Sequence, residues 1–251
     1  MITLTIDRRL SLFPLRDLPP PVLERFQDRL TFDNPVWLEN EKHGYSNWRV
    51  PEKLRFYRID DDQLIMPRGF IGQAIWILRE EDVPYQVADC TRRLPEVDFH
   101  FVGQLKDFQV EAVAAIQRRD FGTLAAPTGS GKTVMALAAI ARRRQPALVV
   151  VHSKELLHQW IERIEAFLGI PAAEVGVIGC GQRTLGKRLT VALVQTLYKC
   201  AAQAVPHFGF LVVDECHRCP ARTFTEAVTA FDSKYMLGLS ATPCGGTACP
   251  G

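Results

Sequence analysis

The segment APTGSGKT, residues 126–133, constrains the fold more than any other part of this 251-residue chain. It follows a short apolar run and precedes a run with helical spacing, which is the strand–loop–helix context that a phosphate-binding loop requires. Gly129 and Gly131 allow a tight turn whose successive backbone amides point at one anion. The sequence therefore predicts an α/β domain whose loop holds a nucleoside triphosphate.

Side chains of this loop and of the following helix supply further phosphate and metal ligands. The helix adds the positive end of its dipole to the attraction for phosphate. Lys132 is placed to reach the β- and γ-phosphates, and Thr133 is placed to ligate Mg²⁺. The predicted triphosphate-binding residues of the loop and helix are Thr128, Gly129, Ser130, Gly131, Lys132 and Thr133.

Two carboxylates follow an apolar strand about eighty residues later, in the segment FLVVDECH, residues 210–217. Beside a phosphate-binding loop, Asp214 would hold Mg²⁺ directly or through water, and Glu215 would position and deprotonate an attacking water. A strand that ends in solvated acids is the alternative, and the upstream loop argues against it. Lys132, Asp214 and Glu215 are thus the predicted catalytic residues.

Hydrophobic patterning divides the chain into two regions. Residues 1–98 predict a small α+β module, with helices near 22–32 and 69–81, a hairpin that turns at Asp60–Asp62, and a strand near 83–90. Residues 99–243 alternate continuous apolar runs with helical segments, which indicates a parallel sheet in an α/β domain. Residues 244–251 are expected to be an unstructured tail.

Composition places the chain among ordinary globular proteins, with 47% apolar and 23% charged residues. No apolar run is long enough for a membrane helix, and the first residues lack the pattern of a signal peptide. Seven cysteines without such a signal predict a reducing, cytoplasmic setting and no membrane partner. Residues 1–103 carry 14 Lys and Arg against 17 Asp and Glu, and residues 104–251 carry 16 against 11. The basic second region is compatible with a nucleic-acid partner without requiring one.

Five ordered motifs in residues 104–243 resemble those of superfamily 2 helicases. The tetrad Asp-Glu-Cys-His at 214–217 is similar to a DEAD/DEAH box, and Ser-Ala-Thr at 240–242 is similar to the third helicase motif. LKDFQVEAV at 105–113 resembles the glutamine-bearing motif, VVVHSKELLHQW at 149–160 resembles motif Ia, and VALVQTL at 191–197 resembles a DNA-contacting motif. The pattern is closest to the branch that contains the helicases XPB and UvsW.

This resemblance implies a RecA-like P-loop NTPase lobe that uses ATP and Mg²⁺ and acts on nucleic acid, with DNA favoured over RNA. Gln109 would read the adenine. The residues expected near the nucleic-acid backbone are Ser153, Lys154, Gln195 and Thr196. The residues expected to couple the nucleotide state to the grip on the strand are His217, Ser240 and Thr242.

Helicases of this superfamily need a second RecA-like lobe, which supplies arginine fingers to the transferred phosphoryl group. No such lobe follows Thr242, and Cys-Gly-Gly at 244–246 departs from the Arg-x-Asp-Gly stretch that the branch usually has there. We therefore expect an N-terminal portion of a helicase or translocase that is poorly active until a second lobe is supplied in cis or in trans. A non-catalytic nucleic-acid-binding or regulatory remnant is the alternative.

Two further features leave weaker expectations. The N-terminal module resembles small accessory domains of this helicase branch, and its candidate nucleic-acid contacts are Trp37, Arg55, Tyr57 and Arg68. Trp37 and Tyr57 are equally compatible with a core role, and the acidic balance of the module argues against a broad basic face. Cys216 and Cys219 have metal-ligand spacing, with Cys244 and Cys249 downstream, but Cys216 already belongs to the box, which disfavours zinc.

Overall fold

The computed structural model describes residues 1–216 and 226–241. Clustering of the backbone divides the chain into two compact units, Met1–Cys90 and Thr91–Gly251. No helix within the described part is both long and apolar enough to cross a membrane.

The first unit combines a five-stranded mixed sheet, a two-stranded ribbon and three helices. Its strands are β1 (Ile2–Ile6), β2 (Leu10–Phe13), β3 (Thr31–Asp33), β4 (Lys53–Arg55), β5 (Arg58–Asp60), β6 (Gln63–Met66) and β7 (Tyr85–Asp89). Its helices are α1 (Pro20–Arg29), α2 (Pro35–His43) and α3 (Ile71–Glu80). The sheet order is β5-β6-β2-β1-β7, and β3 pairs with β4. The predicted hairpin is confirmed, because Asp60 of β5 pairs with Gln63 of β6.

Alternation along the strands builds the core of this unit. Residues 2, 4 and 6 of β1 are buried while residues 3 and 5 are partly exposed, as expected for a strand with one covered face. Phe26 of α1 and Leu78 of α3 are fully buried in the same unit. Arg68, a candidate nucleic-acid contact, is only 6% exposed and donates to the carbonyl oxygen of Asp7 at 3.1 Å. That expectation was wrong, because the Arg68 guanidinium lies inside the unit.

The second unit contains a seven-stranded sheet in which strands and helices alternate along the chain. Its strands are β8 (Phe121–Ala125), β9 (Ala147–Val151), β10 (Gly176–Gly179), β11 (Gln182–Arg183), β12 (Leu189–Leu193), β13 (Phe210–Val213) and β14 (Tyr235–Ser240). Its helices are α4 (Asp107–Gln117), α5 (Lys132–Arg143), α6 (Lys154–Leu168), α7 (Val194–Leu197) and α8 (Ala201–Ala204). The sheet order is β11-β10-β12-β9-β13-β14-β8, and only the short β11 runs antiparallel to its neighbour. The predicted α/β fold with a parallel sheet is confirmed.

Burial explains the continuous apolar runs of the central strands. Every residue of β9, β12 and β13 is buried, because helices cover both faces of a parallel sheet. The carboxyl ends of parallel strands meet at one edge, where ligands bind in open α/β sheets. All the predicted site residues in the described part of this unit follow or end such strands, except Gln109, which lies on α4.

The extended segment 91–103 packs on the second unit. Arg92 forms a bidentate ion pair with Asp232, with both N–O distances at 2.9 Å. The backbone of Leu94 pairs with the fully buried amide side chain of Gln145, and the ring of Phe101 stacks on that of Phe167. The structure thus divides earlier than the boundary that we placed after residue 98.

Candidate active site

The phosphate-binding loop joins β8 to α5 and turns at two glycines. Gly129 and Gly131 both have φ of 83°, in the left-handed region that glycine adopts without strain. A Cβ at Gly131 would lie 2.5 Å from Nε2 of Gln109, whereas a Cβ at Gly129 would meet nothing within 4 Å. The loop is thus enclosed on one side and open on the other.

Lys132, the first residue of α5, folds back across the loop. Its Nζ donates to the carbonyl oxygens of Ala126 at 2.8 Å and Pro127 at 3.1 Å. Phosphate oxygens are stronger acceptors for an ammonium group than neutral carbonyls are. The lysine is therefore held at the loop by bonds that an anion can replace.

Ser130 is the polar group of the loop that fits a ligand best. Its Oγ is buried and has no hydrogen-bond partner within the described residues. A buried hydroxyl without a partner costs free energy, and a bound polar ligand would remove that cost. With the positive-φ glycines and Lys132, this orphan atom shows that the loop fits a phosphate group.

Gln109 connects α4 to the loop. Its Oε1 accepts from the backbone N–H of Lys106 at 3.0 Å, and its Nε2 donates to the carbonyl oxygen of Ser130 at 2.8 Å. Its expected role as the adenine reader stays a prediction. The contact with the loop is a second role that the motif alone did not reveal.

Asp214 follows β13 and is only 7% exposed. Its Oδ2 accepts from the indole N–H of Trp160 at 2.8 Å, and its Oδ1 accepts from the backbone N–H of Glu215 at 2.9 Å. Burial raises the pKa of this carboxyl, while these two hydrogen bonds and the charge of Lys132 oppose the rise. Both oxygens of this buried carboxyl thus accept hydrogen bonds from the protein.

The end of β14 links the loop to the carboxylate box. The backbone N–H of Cys216 donates to the carbonyl oxygen of Leu239 at 3.1 Å, and the backbone N–H of Ala126 donates to that of Ser240 at 3.1 Å. Glu215, the residue before Cys216, has a φ of 51°, in the left-handed region. The other two predicted coupling residues, His217 and Thr242, lie outside the described residues.

The predicted nucleic-acid contacts lie where two adjacent strand-to-helix loops enter α6 and α7. Ser153 caps α6, with its Oγ accepting from the backbone N–H of Leu156 at 3.3 Å, and Lys154 beside it is exposed. Gln195 of α7 is exposed and donates to the carbonyl oxygen of His152 at 3.3 Å, and Thr196 follows it. The parallel pairing of β9 with β12 brings these loops together. Their role in binding nucleic acid stays a prediction.

Hard oxygen ligands suited to Mg²⁺ are available at this edge. Asp214 offers a buried carboxylate, and Thr133, the second residue of α5, offers a hydroxyl. The residues therefore fit a magnesium ion that accompanies a triphosphate. Three of the four cysteines considered for zinc, Cys219, Cys244 and Cys249, lie outside the described residues.

Comparison with known families identifies this architecture. The model of the res subunit of type III restriction enzymes matches residues 103–244, which span the loop, the carboxylate box and β14. The chain belongs to this family.

Named relatives of this family member are helicases and translocases. Over 140 residues the chain is 36% identical to the DNA 3'-5' translocase XPB2 of Sulfurisphaera tokodaii. The matched segment covers 56% of this chain and 31% of that protein. It is 26% identical over 196 residues to the DNA 3'-5' helicase XPB of Mycobacterium tuberculosis, covering 74% and 35%. The chain thus spans about a third of these relatives' length. These relatives bear out the expected resemblance to the XPB branch of superfamily 2 helicases.

Solved structures agree on the fold. The UvsW helicase of bacteriophage T4 superposes with a TM-score of 0.72 at 17% identity, over 98% of this chain and 94% of that one. The SWI2/SNF2 ATPase core of Sulfolobus solfataricus, solved with double-stranded DNA, superposes with a TM-score of 0.51 at 20% identity, over 61% and 34%. The RecA-like lobe of this res-family chain is therefore confirmed as a fold.

Proposed function

We propose that this chain is the ATP-binding motor lobe, with an N-terminal accessory module, of a helicase or translocase that moves on DNA. The observation that carries the proposal is one cluster at the carboxyl edge of the sheet. There, Lys132 lies across the phosphate-binding loop, and the buried Asp214 follows β13 at the same edge of the sheet. The orphan hydroxyl of Ser130 adds a polar group with no protein partner in the described part of the chain.

The residues of the site divide the work as follows. Backbone amides of the loop and the Lys132 ammonium bind the triphosphate, and Thr133 and Asp214 hold the metal ion that accompanies it. Bound Mg²⁺–ATP supplies the phosphoryl group whose hydrolysis drives motion. Glu215 orients a water and accepts its proton. Gln109 holds the loop against α4 and contacts the adenine.

DNA is the proposed partner of the exposed edge. The two relatives compared above are named as acting in the 3'-5' sense on DNA. Ser153 and Lys154 at the start of α6, with Gln195 and Thr196 of α7, present hydroxyl, amide and ammonium donors suited to phosphate oxygens. The basic excess of residues 104–251 favours the same partner.

Full turnover is proposed to need a second RecA-like lobe, in cis or in trans, whose arginine stabilises charge on the transferred phosphoryl group. Such an arginine contributes about 10³–10⁵ in rate. We therefore expect this chain alone, as a monomer, to hydrolyse ATP very slowly with or without duplex DNA. The measurement is steady-state phosphate release, with Glu215→Gln as the background control. Robust DNA-stimulated turnover by the monomer, lost in Glu215→Gln, would contradict the need for a second lobe.

Whether the function in cells depends on nucleotide binding distinguishes a motor from a non-catalytic DNA-binding remnant. Replacing the chromosomal copy by Lys132→Ala should abolish the function of a motor, because the triphosphate loses its ammonium partner. Retained function with Lys132→Ala at normal protein abundance would favour the binding role. Immunoblotting of the variant checks that abundance.

A further inference from the structure

The indole of Trp160 makes an unusual contact for a core side chain. Trp160 lies on α6, is 1% exposed and packs in the core of the second unit with residues such as Leu157 and Ile164. Its Nε1 nevertheless donates to Oδ2 of Asp214 at 2.8 Å, across 54 residues of sequence. The largest buried side chain of the chain thus ends on the carboxylate of the proposed metal site.

The backbone of Asp214 is already fixed without this bond. Its N–H donates to the carbonyl oxygen of Val150 on β9 at 2.9 Å, which extends the pairing of β13 with β9. The carboxylate itself can still rotate about its side-chain torsions. Two donors restrict it, the backbone N–H of Glu215 on Oδ1 and the indole N–H on Oδ2. Among the described residues, the indole is the one donor to this carboxylate from outside the box.

Each carboxylate oxygen keeps acceptor capacity after these bonds. An ionised carboxyl offers about four lone-pair sites, so one remains on each oxygen for a metal ion or its water. An indole N–H can donate a hydrogen bond but cannot accept one. It therefore stabilises an acceptor such as the Asp214 carboxylate, and it cannot itself accept a hydrogen bond from a metal-bound water. The contact therefore suits a carboxylate that must present one orientation to a ligand.

The helix that carries Trp160 also carries predicted nucleic-acid contacts. Ser153 caps α6 and Lys154 is its first residue. Trp160 lies six residues further, about 9 Å along the helix axis. One rigid helix thus joins the exposed loop to the buried carboxylate.

We propose that Trp160 is a positioning residue that holds the Asp214 carboxylate in its metal-binding orientation. The inference rests on the proposed function, since it takes Asp214 as the residue that holds Mg²⁺. A purely structural Trp160 would support the core alone. If Trp160 positions Asp214, loss of the indole N–H weakens magnesium-dependent nucleotide binding. If Trp160 only supports the core, loss of the N–H has no effect specific to magnesium.

Trp160→Phe tests the role, because it keeps an aromatic ring in the core and removes only the donor and some volume. The binding of a fluorescent ATP analogue is measured by anisotropy, with Mg²⁺ and with EDTA. We expect affinity with Mg²⁺ to fall about tenfold, as for a lost hydrogen bond to a charged group, and affinity in EDTA to change by less than about twofold. Trp76→Phe is the matched control and should change neither, because Trp76 lies on α3 of the first unit, 42% exposed.

Three outcomes are decisive in this assay. A selective loss of magnesium-dependent affinity supports the positioning role. Equal losses with Mg²⁺ and with EDTA, or no loss, overturn it. Failure of the parent chain to bind the nucleotide with Mg²⁺ contradicts the proposed function itself.

A second measurement needs no change at Trp160. The chain has four tryptophans, so ¹⁵N-indole labelling gives four N–H signals. The signal of Trp160 is assigned by elimination with Trp37→Phe, Trp48→Phe and Trp76→Phe. We expect a non-hydrolysable ATP analogue with Mg²⁺ to shift the Trp160 signal and the same analogue in EDTA to leave it in place. An unmoved signal at saturating analogue and Mg²⁺ overturns the inference.

Discussion

Gly131 and Gln109 depend on one another at the scale of single residues. The amide of Gln109 bonds to the neighbouring Ser130 carbonyl and occupies the space that a Cβ at Gly131 would need. Gly129 has the same φ and open space around it. A comparison of substitutions at these two glycines therefore separates the cost of backbone strain from the cost of steric contact.

We expect Gly131→Ala to destabilise the chain more than Gly129→Ala. Both substitutions place a side chain in the left-handed region, at about 1–2 kcal/mol each. Only Gly131→Ala also displaces the Gln109 amide, and loss of its hydrogen bond to Ser130 costs about 0.5–1.5 kcal/mol more. Urea unfolding of the two variants measures the difference. Equal free energies of unfolding would show that Gln109 moves aside without cost.

A double-mutant cycle checks the cause of that difference. Gln109→Ala removes the clashing amide, so the combined Gln109→Ala and Gly131→Ala variant should lose less stability than the sum of the single variants. Residues in contact show such coupling, whereas distant pairs are additive. The control pair, Gln109→Ala with Gly129→Ala, should be additive.

At the level of single residues, the sequence indicated the contiguous loop motif but not the contacts between residues that are distant along the chain. The loop glycines and Lys132 were visible because one contiguous motif specifies a backbone path. The contact of Gln109 with Ser130 and that of Trp160 with Asp214 join residues 21 and 54 positions apart. No local pattern encodes such pairs, and only the packed fold brings them together.

At the scale of elements, the N-terminal cap of helix α6 contributes to stability and belongs to the proposed nucleic-acid site. Both roles involve Ser153. The Oγ of Ser153 accepts from the backbone N–H of Leu156 at 3.3 Å, and the exposed Glu155 lies two residues after it in the first turn of the helix. Hydrogen bonds from the Glu155 backbone and then from Ser153 hold the pKa of that carboxyl below its usual range. The cap is thus a small network at the first turn.

We expect Ser153→Ala to lower the free energy of unfolding by about 1 kcal/mol, as for other lost N-caps. Because the folded pKa of Glu155 is depressed, its contribution is present at neutral pH and is lost as the pH falls through that pKa. The deficit of Ser153→Ala should therefore shrink on acidification. Denaturant unfolding at several pH values measures this. Ser153→Thr, which keeps a capping hydroxyl, is the control, and a deficit independent of pH would contradict the role of Glu155.

Elements with a clear period were predicted well. The apolar spacing of residues 69–81 gave α3, and the polar turn at Asp60–Asp62 gave the β5–β6 hairpin. Segment 91–103 lacked such a signal, because an extended stretch that packs through Arg92, Phe99 and Phe101 has no hydrophobic period of its own. Its placement depends on partners such as Asp232 and Gln145, far along the chain.

At the scale of the whole molecule, that segment decides where an independent second unit begins. We expect a fragment of residues 91–251 to be more stable than one of residues 104–251. The shorter fragment leaves the fully buried Gln145 without its partners on Leu94 and also removes the Arg92–Asp232 ion pair. Loss of these two hydrogen bonds and of the partly exposed ion pair is expected to lower the free energy of unfolding by about 1–3 kcal/mol. Equal urea midpoints and slopes would contradict the assignment of 91–103 to this unit.

Binding of Mg²⁺–ATP to the whole chain tests the central claim most directly. Calorimetric titration of the parent should give saturable binding to one site per chain. Lys132→Ala should weaken the affinity at least about tenfold, because the triphosphate loses its ammonium partner. Lys187→Ala, an exposed lysine in the turn before β12, should bind like the parent. Equal affinity of the parent and Lys132→Ala, or no binding by a folded parent, would contradict a nucleotide site at this loop.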